Sequence, residues 1–121
     1  MSELGGKTIL VVDDEKAICE TLALFLTSFG ATVFEANSGR SACEIIKKNK
    51  IDFVITDVKM PDGDGVELLD NIKKYNPDLP IVLMVTGFAD ISKEEARKKG
   101  AIDLLNKPID YNLLLDYLKG I

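Results

Sequence analysis

At 121 residues, 46% of them hydrophobic and 29% charged, the chain has the size and apolar content of one soluble domain with its own core. A net charge of −5 argues against direct nucleic-acid binding, because phosphate backbones require clustered Lys and Arg. The chain has no histidine, which excludes His-dependent triads and His-rich zinc sites and leaves carboxylates and lysines as the chemical groups.

In chain order, Gly5 and Gly6 suggest a flexible N-terminal end. Residues 1–6 have neither the basic nor the long apolar region of a signal peptide, and no apolar run approaches the roughly 20 residues of a membrane span. Thr8 to Val12 is a continuous apolar run, the pattern of a strand covered on both faces. Asp13, Asp14 and Glu15 follow at once. Ile18, Leu22, Phe25, Leu26 and Phe29 then recur at helical spacing until Gly30 stops the helix. Thr32 to Ala36 reads as a short strand. Asn37 or Ser38 can cap a second helix, whose apolar face holds Ala42, Ile45 and Ile46. Cys19 and Cys43 fall inside these helical patterns without metal-like spacing. They read as the reduced thiols of a cytoplasmic protein.

Phe53, Val54, Ile55 and Thr56 are β-branched or aromatic and read as a buried strand that delivers Asp57 to a turn containing Pro61, Gly63 and Gly65. Val66, Leu69 and Ile72 make a third helix, ended near Asn76-Pro77. Ile81 to Val85 is a wholly apolar strand ending at Thr86-Gly87. Ser92 and Glu95 have the spacing of a capping box that opens a fourth helix, stopped at Gly100. That helix carries few apolar residues beyond Ile91 and Ala96, so it is expected to be marginal and mobile. Ala101 to Leu105 reads as a fifth strand and Lys107-Pro108 as a turn. Asp110 caps a last helix that packs through Leu114, Tyr117 and Leu118.

Five β-α units in succession require parallel strands, right-handed crossovers and helices on both faces. The predicted fold is therefore a doubly wound α/β sandwich, for which the flavodoxin-like strand order 2-1-3-4-5 is the simplest candidate. In such a sheet every C-terminal strand end lies on one edge, where open α/β folds place ligands. Strand 1 brings Asp13 and Asp14, strand 3 brings Asp57, strand 4 brings Thr86 and strand 5 brings Lys107. Each has an ordinary explanation alone, as a helix cap, a strand-end residue or a turn. Five at four adjacent strand ends point instead to one crevice. Three carboxylates in close proximity repel unless a cation is present, and hard oxygen ligands suit Mg²⁺. A carboxylate beside Mg²⁺ and Lys107 has the surroundings of a nucleophile for phosphoryl transfer, with the Thr86 hydroxyl as a donor to the phosphoryl oxygens. Gly87 leaves room for the group to enter.

Taken together these residues resemble the receiver domain of two-component response regulators. The resemblance runs from about Lys7 to Lys119, with the whole of 1–121 as one domain and no output domain. It rests on the Asp-Asp pair after strand 1, Asp57 before a Met-Pro-x-x-x-Gly turn, Thr86-Gly87 and Lys107-Pro108. It implies that Asp57 is the phosphoacceptor. Asp13 and Asp14 would hold Mg²⁺, with Asp14 favoured as the direct ligand and the Lys59 backbone carbonyl completing the protein ligands. Thr86 and Lys107 would contact the phosphoryl group, and the Lys107-Pro108 bond would be cis. The donor would be a phosphohistidine on a sensor histidine kinase or a phosphotransfer protein. The first helix and the loops around Asp57 would recognise that partner. The fourth helix, fifth strand and fifth helix would form the face that acts on an output domain or effector, or pairs in a dimer on phosphorylation. The chain is closest in pattern to receivers attached to transcription activators. Such a domain catalyses only its own phosphorylation and dephosphorylation.

One position departs from the family. Three residues before Lys107 the family usually carries an aromatic switch residue, and here that position is Leu104. Leu104 reads as core, which leaves Phe88 and the fourth helix to carry the switch from Thr86. The charged run from Lys93 to Lys99 reads as a solvated face.

Other functions fit less well. An Asp-nucleophile phosphatase needs a second Asp two residues after the first, where this chain has Lys59. A flavin-binding first loop would have to donate hydrogen bonds to a phosphate that Asp13-Asp14-Glu15 would repel. A calcium loop at Asp62 to Gly65 lacks the closing Glu. A receiver-like docking module that is never phosphorylated is the remaining alternative.

Overall fold

The computed structural model describes residues 2–76, 80–87 and 91–120. Its elements alternate strictly: β1 (Thr8–Val12), α1 (Lys16–Ser28), β2 (Thr32–Ala36), α2 (Gly39–Lys48), β3 (Phe53–Asp57), α3 (Gly65–Tyr75), β4 (Ile81–Thr86), α4 (Lys93–Lys99), β5 (Asp103–Asn106) and α5 (Tyr111–Lys119). All paired strands are parallel, in the order β2-β1-β3-β4-β5, as the sequence predicts.

The strands show why continuous apolar runs were needed. Side chains alternate faces along a strand, so both faces must be apolar when both are covered. On one face Leu10, Val12, Val54, Val82, Met84 and Leu104 pack against α2, α3 and α4. On the other, Ile9, Val11, Phe53, Ile55, Leu83, Val85 and Leu105 pack against α1 and α5. Leu104 is thus a core residue, 5% exposed.

Helix ends follow local chemistry. Ser38, rather than Asn37, caps α2 by accepting from the Ser41 N–H, and Asp64 caps α3 by accepting from Glu67 N–H. Asp110 accepts from two backbone N–H groups at the start of α5. Ser92 caps α4 through the Glu95 N–H, as its spacing predicts, and Gly100 ends that helix with φ +110°. The fifth strand lies two residues later than the apolar run suggests at its start, because Ala101 instead closes the α4 terminus by donating to the Ala96 carbonyl. Helix α3 ends at Tyr75 with Asn76 as its cap; Pro77 and Phe88 lie outside the described residues. Among the described residues no helix is long and apolar enough to cross a membrane. Both cysteines are free thiols.

Candidate functional site

The site is built by carrying strand pairing one residue past the strands. Asp13 N–H donates to the Ala36 carbonyl (3.1 Å), Val58 N–H to Val85 (3.0 Å) and Lys107 N–H to Thr86 (2.9 Å). The backbone beside each site residue is therefore fixed by the sheet and not left to a free loop. The Lys107-Pro108 peptide bond is cis, in agreement with the expectation from resemblance.

Asp13, Asp14 and Asp57 each place one carboxylate oxygen within 4.8 Å of the others. Lys107 Nζ lies between two of them, 2.9 Å from Asp13 Oδ2 and 3.1 Å from Asp57 Oδ2. One ammonium cannot neutralise three carboxylates, so the crevice keeps an excess of negative charge. Burial pushes the Asp57 carboxyl above its ordinary range, against the opposing pull of Lys107, and the charge of Asp13 adds to the rise. For Lys107, burial alone would lower its pKa, but the hydrogen bonds to Asp13 and Asp57 outweigh it and the net shift is upward.

The two N-terminal acids are held differently. Asp13 is buried, its Oδ1 accepts the Glu15 N–H (2.9 Å), and its carbonyl accepts from Asn37 Nδ2 (2.9 Å) and the Cys19 thiol (3.4 Å). Burial and the nearby Asp13 charge push that thiol up to about 11, so Cys19 is a packed, protonated group. Asp14 is exposed at the mouth of the crevice. Asp57 Oδ1 accepts its neighbour's N–H from Val58 (2.8 Å), which fixes the carboxylate plane.

The loop after Asp57 is pinned by glycines. A Cβ on Gly65 would run into the Asp57 carbonyl, and one on Gly39 would lie 2.5 Å from the Gly63 carbonyl, to which Gly39 N–H donates. Asp62 has φ +57° and Gly63 φ +94°, so the turn closes through two left-handed residues. Lys59 lies on this loop two residues past Asp57, with an exposed side chain. Thr86 is buried at the end of β4, beside Asn106 of β5. A Cβ on Gly87 would sit in ordinary contact with Lys107 Cδ at 3.9 Å, which places Gly87 beside the lysine. The structure thus brings Asp13, Asp14, Asp57, Thr86 and Lys107 to one sheet edge. Leu104 lies away from that edge, inside the core.

A second polar cluster was not singled out in the sequence. Asp103, 5% exposed, accepts from Tyr117 Oη, Arg97 (3.0 Å), Lys93 (3.3 Å) and the Leu104 N–H (2.8 Å). Burial would raise its carboxyl, but the Tyr117, Leu104 and Lys93 hydrogen bonds hold it down to about 2. Lys93 and Arg97 therefore do more than solvate a surface, and Tyr117 is a polar tie as well as a packing residue. The available signal was an Asp inside an apolar strand, six and ten residues after two basic residues that are themselves four apart, at helical spacing.

A parallel five-stranded sheet of order β2-β1-β3-β4-β5 with an acidic cluster bonded by Lys107 at its C-terminal edge has the architecture of a receiver domain. Comparison makes the assignment: the family described as response regulator receiver domain matches residues 9–119, and the chain belongs to it. It is 41% identical over 106 residues to the transcriptional regulatory protein ZraR of Escherichia coli (strain K12), covering 88% of this chain and 24% of that protein. It is 34% identical to the DNA-binding transcriptional regulator NtrC of Azospirillum brasilense, covering 96% and 24%. The chain therefore spans about a quarter of the length of these curated relatives. Among solved structures, a receiver domain from Clostridium thermocellum superposes with a TM-score of 0.88 at 35% identity, covering 94% of this chain and 92% of that one. The beryllofluoride-activated NtrC4 receiver domain dimer gives 0.85 at 37% identity, covering 93% of each.

Proposed function

We propose that this receiver domain is a phosphorylation-dependent signalling switch that accepts one phosphoryl group on Asp57. The observation that carries the reading is Lys107 Nζ bridging Asp13 and Asp57 inside a three-carboxylate cluster. The donor set is all hard oxygen and over-supplied with negative charge, which fits Mg²⁺. Asp13, Asp14 and Asp57 would hold the ion, with the Lys59 backbone carbonyl as a further ligand. Bound there, the ion would supply positive charge to the phosphoryl oxygens.

The chain's own groups do the rest. The Asp57 carboxylate attacks the phosphorus of a phosphohistidine on a sensor kinase or phosphotransfer protein. The P–N bond breaks, an acyl phosphate P–O bond forms, and the imidazole leaves with the bonding electron pair and takes up a proton. Lys107, already bound to Asp57, follows the charge onto the phosphoryl oxygens, and the Thr86 hydroxyl donates to one of them. Asp14, exposed and without the fixed contacts of Asp13, is the favoured direct ligand of the pair. The α4-β5-α5 face would then transmit the change to an output domain or effector, transcriptional by analogy with ZraR and NtrC, with dimerisation on phosphorylation as one route. Leu104 is buried, so that transmission runs through Thr86 and the segment containing Phe88.

Intact mass after incubation with acetyl phosphate and Mg²⁺ tests this. The parent is expected to gain one base-labile phosphoryl group, while Asp57→Asn and the metal-free parent gain none. A folded, Mg²⁺-binding protein that never gains mass, even from a kinase phosphohistidine, would favour the docking-module reading.

A further inference from the structure

At the sheet edge opposite Asp57, α2 and α3 leave between their C-terminal halves an open groove of about 450 Å³. Its floor is apolar: Ile51 and Ile72 are buried there, with half-buried Ile46 and buried Pro80 beside them. Tyr75 forms one wall and is 72% exposed, although it is a large aromatic. Lys47 and Lys50 stand on the rim, with Lys47 Nζ 5.5 Å from the centre of the Tyr75 ring. The charged residues described in its lining are Lys47 and Lys50, and Glu44 and Glu67 line the adjoining opening toward the N-terminal ends of the two helices. An apolar trough with an exposed tyrosine and two cations is complementary to an apolar stripe flanked by acids.

We propose that this groove docks an amphipathic helix of a protein partner, one carrying acidic residues beside its apolar stripe. An open trough between two helices can take the apolar anchors of a third helix at i, i+3 and i+4. Tyr75 is the type of residue that dominates such contacts. Lys47 and Lys50 select the acidic flank, because a basic helix would meet like charge. Ile51 precedes β3 and Pro80 precedes β4, so the groove sits at the N-terminal strand ends. Asp57 is a strand length away, roughly 15 Å. Docking here is therefore independent of phosphorylation and leaves the α4-β5-α5 face free, which suits a constant tether to a partner. The inference does not depend on the phosphoryl reading above.

The test uses the whole chain and two synthetic helical peptides with one Leu/Phe stripe, flanked by Glu in the first and by Lys in the second. Binding is followed by backbone and methyl NMR signals. The Glu peptide should shift Cys43, Ile46, Ile72 and Tyr75. It should bind at least about fivefold more tightly than the Lys peptide, as expected when two exposed charge pairs change from attraction to repulsion. Lys47→Glu with Lys50→Glu should reverse that preference, and Tyr75→Ser, at an exposed position that leaves folding intact, should weaken both peptides. Beryllofluoride with Mg²⁺ should leave the affinity unchanged, and all variants should still gain phosphoryl mass as the parent does. Equal binding of both peptides, shifts confined to another face, or no shift with either would overturn the proposal. Concentration-dependent shifts of the same signals without peptide would overturn it in favour of a second copy of this chain.

Discussion

Lys107 is the residue on which the crevice balances. It is bonded to both Asp13 and Asp57, and removing it leaves partly buried like charges facing each other. Lys107→Ala should therefore lower unfolding free energy by about 2 kcal/mol without divalent cations. Added Mg²⁺ should recover more stability in the variant than in the parent, because it replaces the lost neutralisation. Denaturant titrations with and without Mg²⁺ measure both, and an equal deficit in each would show that neutralisation is not the lysine's role. Leu104 gives the opposite case. It packs in the layer shared with Met84, Ala96 and Ala101, so Leu104→Ala should cost about 2–4 kcal/mol through the cavity it leaves. Phosphoryl mass gain at a temperature where the variant is folded should be unchanged. Loss of that gain in a folded variant would mean Leu104 reaches the site after all.

Among the elements, the β3-α3 loop and α4 are stabilised by different means. The loop depends on backbone proximity, since Gly65 lies against the carbonyl of Asp57 itself. Gly65→Ala should destabilise the domain by about 2 kcal/mol or more and also slow phosphorylation, because the displaced group belongs to the acceptor residue. Thermal unfolding and the acetyl phosphate mass assay would separate the two effects. Helix α4 buries only Ala96 and is held to β5 largely by Lys93 and Arg97 on Asp103. The Asp103 carboxyl sits at about 2 in the fold against an ordinary 3.8, so its contribution is fully present above about pH 4. That contribution, made first through Tyr117 of α5 and the Leu104 N–H and then through Lys93, is lost as pH falls through 2, and amounts to on the order of 2 kcal/mol. The stability gap between the parent and Asp103→Asn should close over that window, and α4 amides should exchange faster in the variant above it. A gap that stays constant from pH 6 to pH 2 would show that the charge of Asp103 is not what holds α4.

For the whole molecule, the five strands do two jobs with one geometry. Their side chains alternate between two apolar layers, which supplies the stability, and their common direction sends every C-terminal end to one edge, which supplies the site. The opposite edge keeps the α2-α3 groove. The two proposed events, phosphorylation and docking, would use separate surfaces of one small domain.

The apolar runs, the capping residues and the β-α alternation predicted a doubly wound parallel sheet, for which the order found was the simplest candidate. The same order placed Asp13, Asp14, Asp57, Thr86 and Lys107 together, since strand direction alone decides which ends meet. The shift of β5 to Asp103–Asn106 was not legible, because Ala101 is claimed by the α4 terminus in a contact that propensity does not register. Asp103 bonded by Tyr117, Arg97 and Lys93 was hidden for a related reason: its partners come from two helices and converge only on packing. The difference in fixing between Asp13 and Asp14, adjacent and chemically identical in sequence, was decided by the tertiary structure alone. Only folding brings Asn37, Cys19 and Lys107 around one of them and leaves the other at the surface.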